Sequence, residues 1–187
     1  MSESGPLIIS VTGMPGSGKD EFISVAKSSG FRDFHMGNTV RAYAKKNGIP
    51  STDQEIGKFA TAEREQNGMD VWARRTSVEM GGAKLVIIDG VRNIEEVEFF
   101  KHNYPNFKIV AVFANRDDRY KRIVVRNRPD DVKTLDELIR RDNRELSWGI
   151  ARVIALADFM VVNDSTLDEF YQRAAELLEK LKTLSDP

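Results

Sequence analysis

Gly13-Met14-Pro15-Gly16-Ser17-Gly18-Lys19 decides how this chain is read, because it follows the apolar run Leu7-Ile8-Ile9-Ser10-Val11-Thr12 and leads into a helical pattern at Asp20. Glycines at the first, fourth and sixth places let the backbone take positive φ and bring its N–H groups close to an anion. The following helix N-terminus adds partial positive charge. Lys19 is placed to reach the β- and γ-phosphates of a bound nucleotide. The bare pattern is weak, since a glycine-rich turn can carry it by chance. The apolar strand before it and the helix after it supply the setting that the motif needs. Residues 13–19 are therefore expected to cradle the phosphates of ATP.

Asp20 departs from the pattern, which usually has Ser or Thr after the lysine as a magnesium ligand. A carboxylate is a good hard ligand but also repels phosphate. Either Asp20 holds Mg2+, directly or through water, or it points away and favours the helix N-terminus through the macrodipole. The second reading is slightly preferred.

The chain has 187 residues, enough for one well-buried core with a small insert and too few for two large domains. A net charge of -1 with 30% charged residues describes an ordinary soluble surface. Nucleic acid is thus not suggested as the main partner, although a local cluster of arginines could still bind it. The absence of cysteine excludes disulfides, zinc-thiolate sites and thiol catalysis. No basic patch followed by an apolar stretch opens the chain and no run approaches a membrane span, so a cytoplasmic location without membrane contact is expected.

Apolar runs alternate with helical patterns throughout, which argues for an α/β fold with a parallel sheet covered by helices on both faces. Strands are expected near Leu7 to Thr12, Asp33 to Met36, Lys84 to Asp89, Lys108 to Ala114 and Phe159 to Asn163. Capping boxes mark helix starts at Thr52 with Glu55, Thr134 with Glu137 and Thr166 with Glu169. Leu177, Leu178 and Leu181 give the last helix an apolar stripe that should pack on the sheet. Two helices, Thr39 to Asn47 and Thr52 to Met80, lie where a simple crossover needs one, so residues 37–80 read as a substrate-binding insert. The polar, proline-containing stretch from Asn127 to Lys133 reads as a loop that can close over a site, with a lid expected over about 127–136.

Asp89 ends the third strand in Asp89-Gly90-Val91-Arg92, where α/β proteins bind ligands, and can position magnesium through water. The alternative is an ordinary Asp-Gly turn. Arg41 sits one turn into a helix after the second strand and Arg92 just past the third. If both strands flank the first, their guanidinium groups can converge on a second anion. Arg119, Arg122, Arg126 and Arg128, followed by Arg140, Arg141 and Arg144, suit a lid that neutralises a transferring phosphoryl group. Interleaved acids imply that some of these pair weakly at the surface. His35 and His102 read as turn or surface residues, and Trp72 and Trp148 as packing residues, with Trp72 a possible base contact.

The chain resembles the nucleoside monophosphate kinases, and within them an archaeal adenylate-kinase-related family. Residues 13–19 are similar to the family's G-x-P-G-x-G-K loop, His35 to Arg41 to a segment whose arginine holds the acceptor phosphate, and Asp89-Gly90-Val91-Arg92 to a shortened D-G-[FY]-P-R. Arg122-Ile123-Val124-Val125-Arg126 resembles the R-x-x-x-R that opens the lid, and Val162-Asn163-Asp164 the end of the last strand, whose following loop borders the donor base. The resemblance implies a P-loop kinase fold with a five-stranded parallel sheet in the order 2-3-1-4-5. It implies ATP with Mg2+, Gly37, Arg41 and Arg92 on the acceptor, Arg122 against the donor base, Arg126 on phosphate, and Lys19, Arg126 and Asp89 in catalysis. The expected function is phosphoryl transfer from ATP to a nucleoside monophosphate, AMP foremost. Dephospho-coenzyme A as acceptor, or a nucleotide-binding regulatory or RNA-associated ATPase, are the alternatives.

Overall fold

The computed structural model describes residues 5–126 and 132–185. Its organising strand is β1 (Leu7–Thr12), every residue of which is buried. Such an unbroken apolar run fits the centre of a parallel sheet, where both faces are covered. The other strands are β2 (Arg32–His35), β3 (Leu85–Asp89), β4 (Phe107–Phe113) and β5 (Phe159–Val162). All pair in parallel, in the order β2-β3-β1-β4-β5. The strand positions and order match those expected from the sequence, with ends displaced by a residue.

Successive side chains of a strand point to opposite faces, so the sheet feeds two cores. Leu7, Ile9 and Val11 meet Phe22 and Ala26 of α1 (Lys19–Ser28) and Phe170, Leu178 and Leu181 of α9 (Leu167–Ser185). On the other face Ile8, Val86 and Ile88 meet Val97 and Phe100 of α5 (Ile94–Asn103) and Val153 of α8 (Ile150–Ala155). The leucine stripe of the last helix packs where its spacing placed it. Thr166 and Glu169 cap that helix reciprocally, the Glu169 N–H donating to Thr166 Oγ1 at 3.3 Å and the Thr166 N–H to Glu169 Oε2 at 3.4 Å. Thr52 and Thr134 accept from Glu55 and Glu137 in the same way.

The insert differs from expectation. It holds three helices, α2 (Met36–Lys46), α3 (Asp53–Asn67) and α4 (Val71–Met80), because the stretch read as one helix from Thr52 to Met80 breaks at Gly68. Gly68 takes φ 96° and ψ 149°, a conformation open to glycine and costly for other residues, and its N–H closes α3 on Arg64 O at 2.9 Å. Trp72 is wholly buried, donates from Nε1 to Ala60 O at 3.2 Å and meets Tyr43 edge-on with centroids 5.9 Å apart. It pins the three helices together, so it is a packing residue and is not available to a base.

Helix α6 (Arg116–Arg126) and α7 (Leu135–Ser147) flank the expected lid. Residues 127–131 of that lid, with Arg128, lie outside the described residues. No helix among the described residues is long and apolar enough to cross a membrane.

Candidate functional site

The carboxyl ends of β1 and β3 open into a cavity of about 630 Å3, whose floor is the glycine loop. Gly13, Pro15, Gly16, Gly18 and Lys19 line it. Gly18 has φ 107°, and a Cβ there would lie under 3 Å from Asn163 Nδ2, which donates to Ser17 O at 2.9 Å. Asn163, just past the last strand, thus locks the loop from behind, and only glycine fits at the lock. Lys19 curls over the loop, donating to Gly13 O at 2.8 Å. Burial pushes its pKa below the ordinary lysine value, opposed by the charges of Asp89, Glu145 and Asp20.

Asp89 faces Lys19 from the end of β3. Burial works against its ionisation, but the contact with His35 and the charges of Lys19 and Arg92 outweigh it and hold the carboxyl below the usual aspartate value. His35 Nδ1 lies 3.4 Å from Asp89 Oδ2, and His35 Nε2 lies 3.2 Å from Asp33 Oδ2. The Asp89 contact raises the His35 pKa. His35 was expected at a turn or surface; it is half-buried and braces Asp89, because parallel pairing of β2 on β3 sets His35 beside Asp89. Asp20 is exposed at the mouth, with Oδ2 3.7 Å from Arg126 Nη1.

Arg122, Arg126 and Arg141 line the same cavity. Arg122 donates to Asn163 O at 2.9 Å. Arg140 and Arg144 are exposed and do not line the cavity, Arg144 resting 5.5 Å from the Trp148 ring centroid. Arg119 was read as part of the lid or a surface pair. It is instead buried in a two-pronged pair with Asp142 of α7, at 2.8 and 2.7 Å, and also donates to Pro15 O at 3.0 Å. The spacing of charges along α6 could not show this, since the partner comes from another helix.

The two arginines expected at the acceptor part company. Arg92 lines the cavity, with Nε 3.1 Å from Glu145 Oε2 and its guanidinium 4.8 Å from the Trp148 ring centroid. Its backbone N–H donates to Glu96 Oε2 at 2.8 Å, and Glu96 is fully buried beside Arg64 at 2.9 Å. Asn93 caps α5 by accepting from the Glu96 N–H at 2.8 Å. This box escaped the sequence reading because Asn stands where Ser or Thr was sought. Arg41 is exposed, donates to Asn38 Oδ1 at 2.6 Å and does not line the cavity; Gly37 lies beside it. Arg41 is thus exposed outside the cavity that Arg92 lines, and the condition for their convergence is not met, because β2 flanks β3 and not β1. Glu145 was expected only as one of the acids interleaved with the arginines at the surface. It resembles any helix-surface acid in sequence, yet it is buried on the cavity wall.

Thr12 Oγ1, Asp89 Oδ1, Arg122 Nη1, Arg141 Nε and Ser165 Oγ are buried, have no hydrogen-bond partner among the described residues and belong to residues lining this cavity. Buried polar atoms are normally satisfied, so their concentration in one cavity marks a polar ligand site.

The sheet order, loop and cavity define the class: a P-loop α/β domain of the kinase-like type, and residues 9–147 match the family model of the AAA domain. The chain belongs to the UPF0200 family of archaeal proteins, being 58% identical over 171 residues to the UPF0200 protein of Thermoplasma volcanium. That match covers 91% of this chain and 96% of the relative. The UPF0200 protein of Thermoplasma acidophilum is 55% identical (96% and 99% covered), and that of Methanoregula boonei 37% identical (94% and 97%). Among solved structures the fold is similar to shikimate kinase from Bacteroides thetaiotaomicron, with TM-score 0.62 at 17% identity over 92% of this chain and 98% of that one. A gluconokinase from Sinorhizobium meliloti gives TM-score 0.57 at 16% identity, covering 96% and 95%.

Proposed function

We propose that this protein transfers the γ-phosphoryl group of ATP to a nucleoside monophosphate, AMP being the favoured acceptor. The observation that carries the reading is that Lys19, on the phosphate loop, and Arg92, past the end of β3, line one cavity. Donor and acceptor phosphates can thus share one space. Phosphoryl transfer to an existing phosphate oxygen needs positioning and charge neutralisation more than a general base. The loop N–H groups hold the β-phosphate, Lys19 exchanges the Gly13 carbonyl for a γ-oxygen, and Arg122, Arg126 and Arg141 offset the charge that spreads over the transferring group. Arg92 anchors the acceptor, and Arg41 with Gly37 is assigned its outer edge, reached once Arg41 leaves Asn38.

The residues fit a magnesium ion that is held mainly by the nucleotide. Among the described residues Asp89 Oδ1 is buried without a partner, and no group of three or more acidic or imidazole side chains could form a metal site by itself. Asp89 would hold Mg2+ through water, with Asp20 an outer candidate, and the ion would supply charge to the phosphates.

A second reading has a specific observation behind it. The pair of carboxylates Asp89 and Glu145 on the acceptor wall suits a hydroxyl acceptor, whose proton needs a base, as with dephospho-coenzyme A. Incubating the purified protein with ATP, Mg2+ and a panel of monophosphates and dephospho-coenzyme A decides between them. Diphosphate formation, with AMP turned over best, is the expected result. Preferential use of dephospho-coenzyme A would replace the first reading by the second. ATP binding with no transfer to any acceptor would end both and point to a nucleotide-binding or RNA-associated module.

A further inference from the structure

Charges of both signs line the cavity: Lys19, Arg92, Arg122, Arg126 and Arg141 with Asp20, Glu21, Asp89 and Glu145. Past the end of β3, Arg92 shares it with Asp89 and Glu145, whose charges also act on Lys19. Glu145 retains only 7% of its side-chain exposure and lies 3.1 Å from Arg92 Nε, while the guanidinium rests on Trp148. Among the described residues no acid other than Glu145 forms an ion pair with Arg92. Arg92 is therefore held in place by a ring and has its charge offset by a resident carboxylate that α7 carries.

Building on the acceptor end described above, we propose that Glu145 is a specificity-determining residue that limits this end of the cavity to ligands carrying a single phosphate. Its carboxylate acts as a fixed counter-anion to Arg92. One phosphate can share the guanidinium with Glu145, through the terminal nitrogens. A diphosphate or triphosphate brings further negative charge against Glu145 and Asp89 and is rejected, because like charges close together repel. The device keeps the products of transfer, and a second molecule of the donor, from settling where the acceptor must bind.

Removing the charge while keeping the shape tests this with a gain of binding, which misfolding does not produce. With the donor side filled by a non-hydrolysable ATP analogue, pyrophosphate and AMP are titrated calorimetrically into the wild type and Glu145→Gln. Pyrophosphate is expected to bind roughly ten-fold tighter to the variant and AMP about three-fold tighter, following the number of charges each brings near Glu145. The gain should vanish when Glu145→Gln is made in an Arg92→Gln background, since the two residues act together. Unchanged or weaker pyrophosphate binding, or a gain that survives without Arg92, would overturn the proposal. Glu145→Ser serves as the second variant if Glu145→Gln does not fold. The titration needs no turnover. A protein that phosphorylates no monophosphate would refute the proposed function while leaving the anion comparison to judge Glu145, and if the analogue does not bind, the same comparison is made without it.

Discussion

Replacing Asp142 by alanine is expected to loosen the floor of the site as well as destabilise the fold. Asp142 and Arg119 retain 1% and 5% of their side-chain exposure and form a two-pronged pair at 2.8 and 2.7 Å. Arg119 also holds the Pro15 carbonyl of the phosphate loop at 3.0 Å. Without Asp142 a guanidinium stays buried with its charge uncompensated, which costs about 3–5 kcal/mol. In a chain of this size that lowers the melting temperature by roughly 6–20 °C. Arg116, whose Nε lies 3.5 Å from Asp142, is half exposed and loses little. Thermal melts of the wild type, Asp142→Ala and the paired replacement Arg119→Met with Asp142→Leu separate the terms. The paired change should recover most of the stability, since an apolar substitute avoids desolvating both charges. It should still bind ATP more weakly, because the Pro15 tether is gone. A loss under about 1 kcal/mol for Asp142→Ala would refute the buried clamp, that being the size of a solvent-exposed pair.

Lys19→Met should abolish measurable phosphoryl transfer, by about 10²-fold or more in kcat, while the melting temperature stays level or rises, because burial already disfavours the Lys19 charge; a fall in both would assign Lys19 a structural role. Gly18→Ala forces a Cβ against Asn163 in a backbone with φ 107°, and should cost about 1–3 kcal/mol by chemical denaturation together with a loss of ATP binding; a silent substitution would contradict the lock by Asn163. The His35 and Asp89 contact makes stability pH-dependent. His35 has a raised pKa, so its contribution is full below the unfolded value of about 6.5 and fades as pH rises through the higher folded value. Asp89 has a lowered one, so its contribution is full above about 3.9 and fades as pH falls through the folded value. Melts between pH 5 and 9 should show the alkaline loss in the wild type and a flatter profile in His35→Gln, and equal profiles would remove the contact.

The fold was readable from local signals. An apolar run of six residues, a glycine loop and a helix start leave few arrangements for β1 and α1, and alternation of strand and helix patterns leaves one class of sheet. Capping residues and the leucine stripe of α9 served equally well, since each acts within a few residues of itself. The break at Gly68 was missed although the polar run from Glu63 to Gly68 marks it, and the burial of Trp72 among α2, α3 and α4 shows what two helices achieve that one cannot.

The site divides in the same way. The loop of residues 13–19, Asp89 and Arg92 could be placed at one cavity in advance because a motif or a strand end positions them through nearby chain. What the amino-acid order alone determined is therefore the phosphate loop and the sheet that presents it. Tertiary structure decided the use of charge. It turned Arg41 outward, buried Arg119 on Asp142, set His35 against Asp89 and placed Glu145 on Arg92. The physical reason is that a charged side chain takes its energy from partners brought close across the fold, and linear spacing holds no record of them.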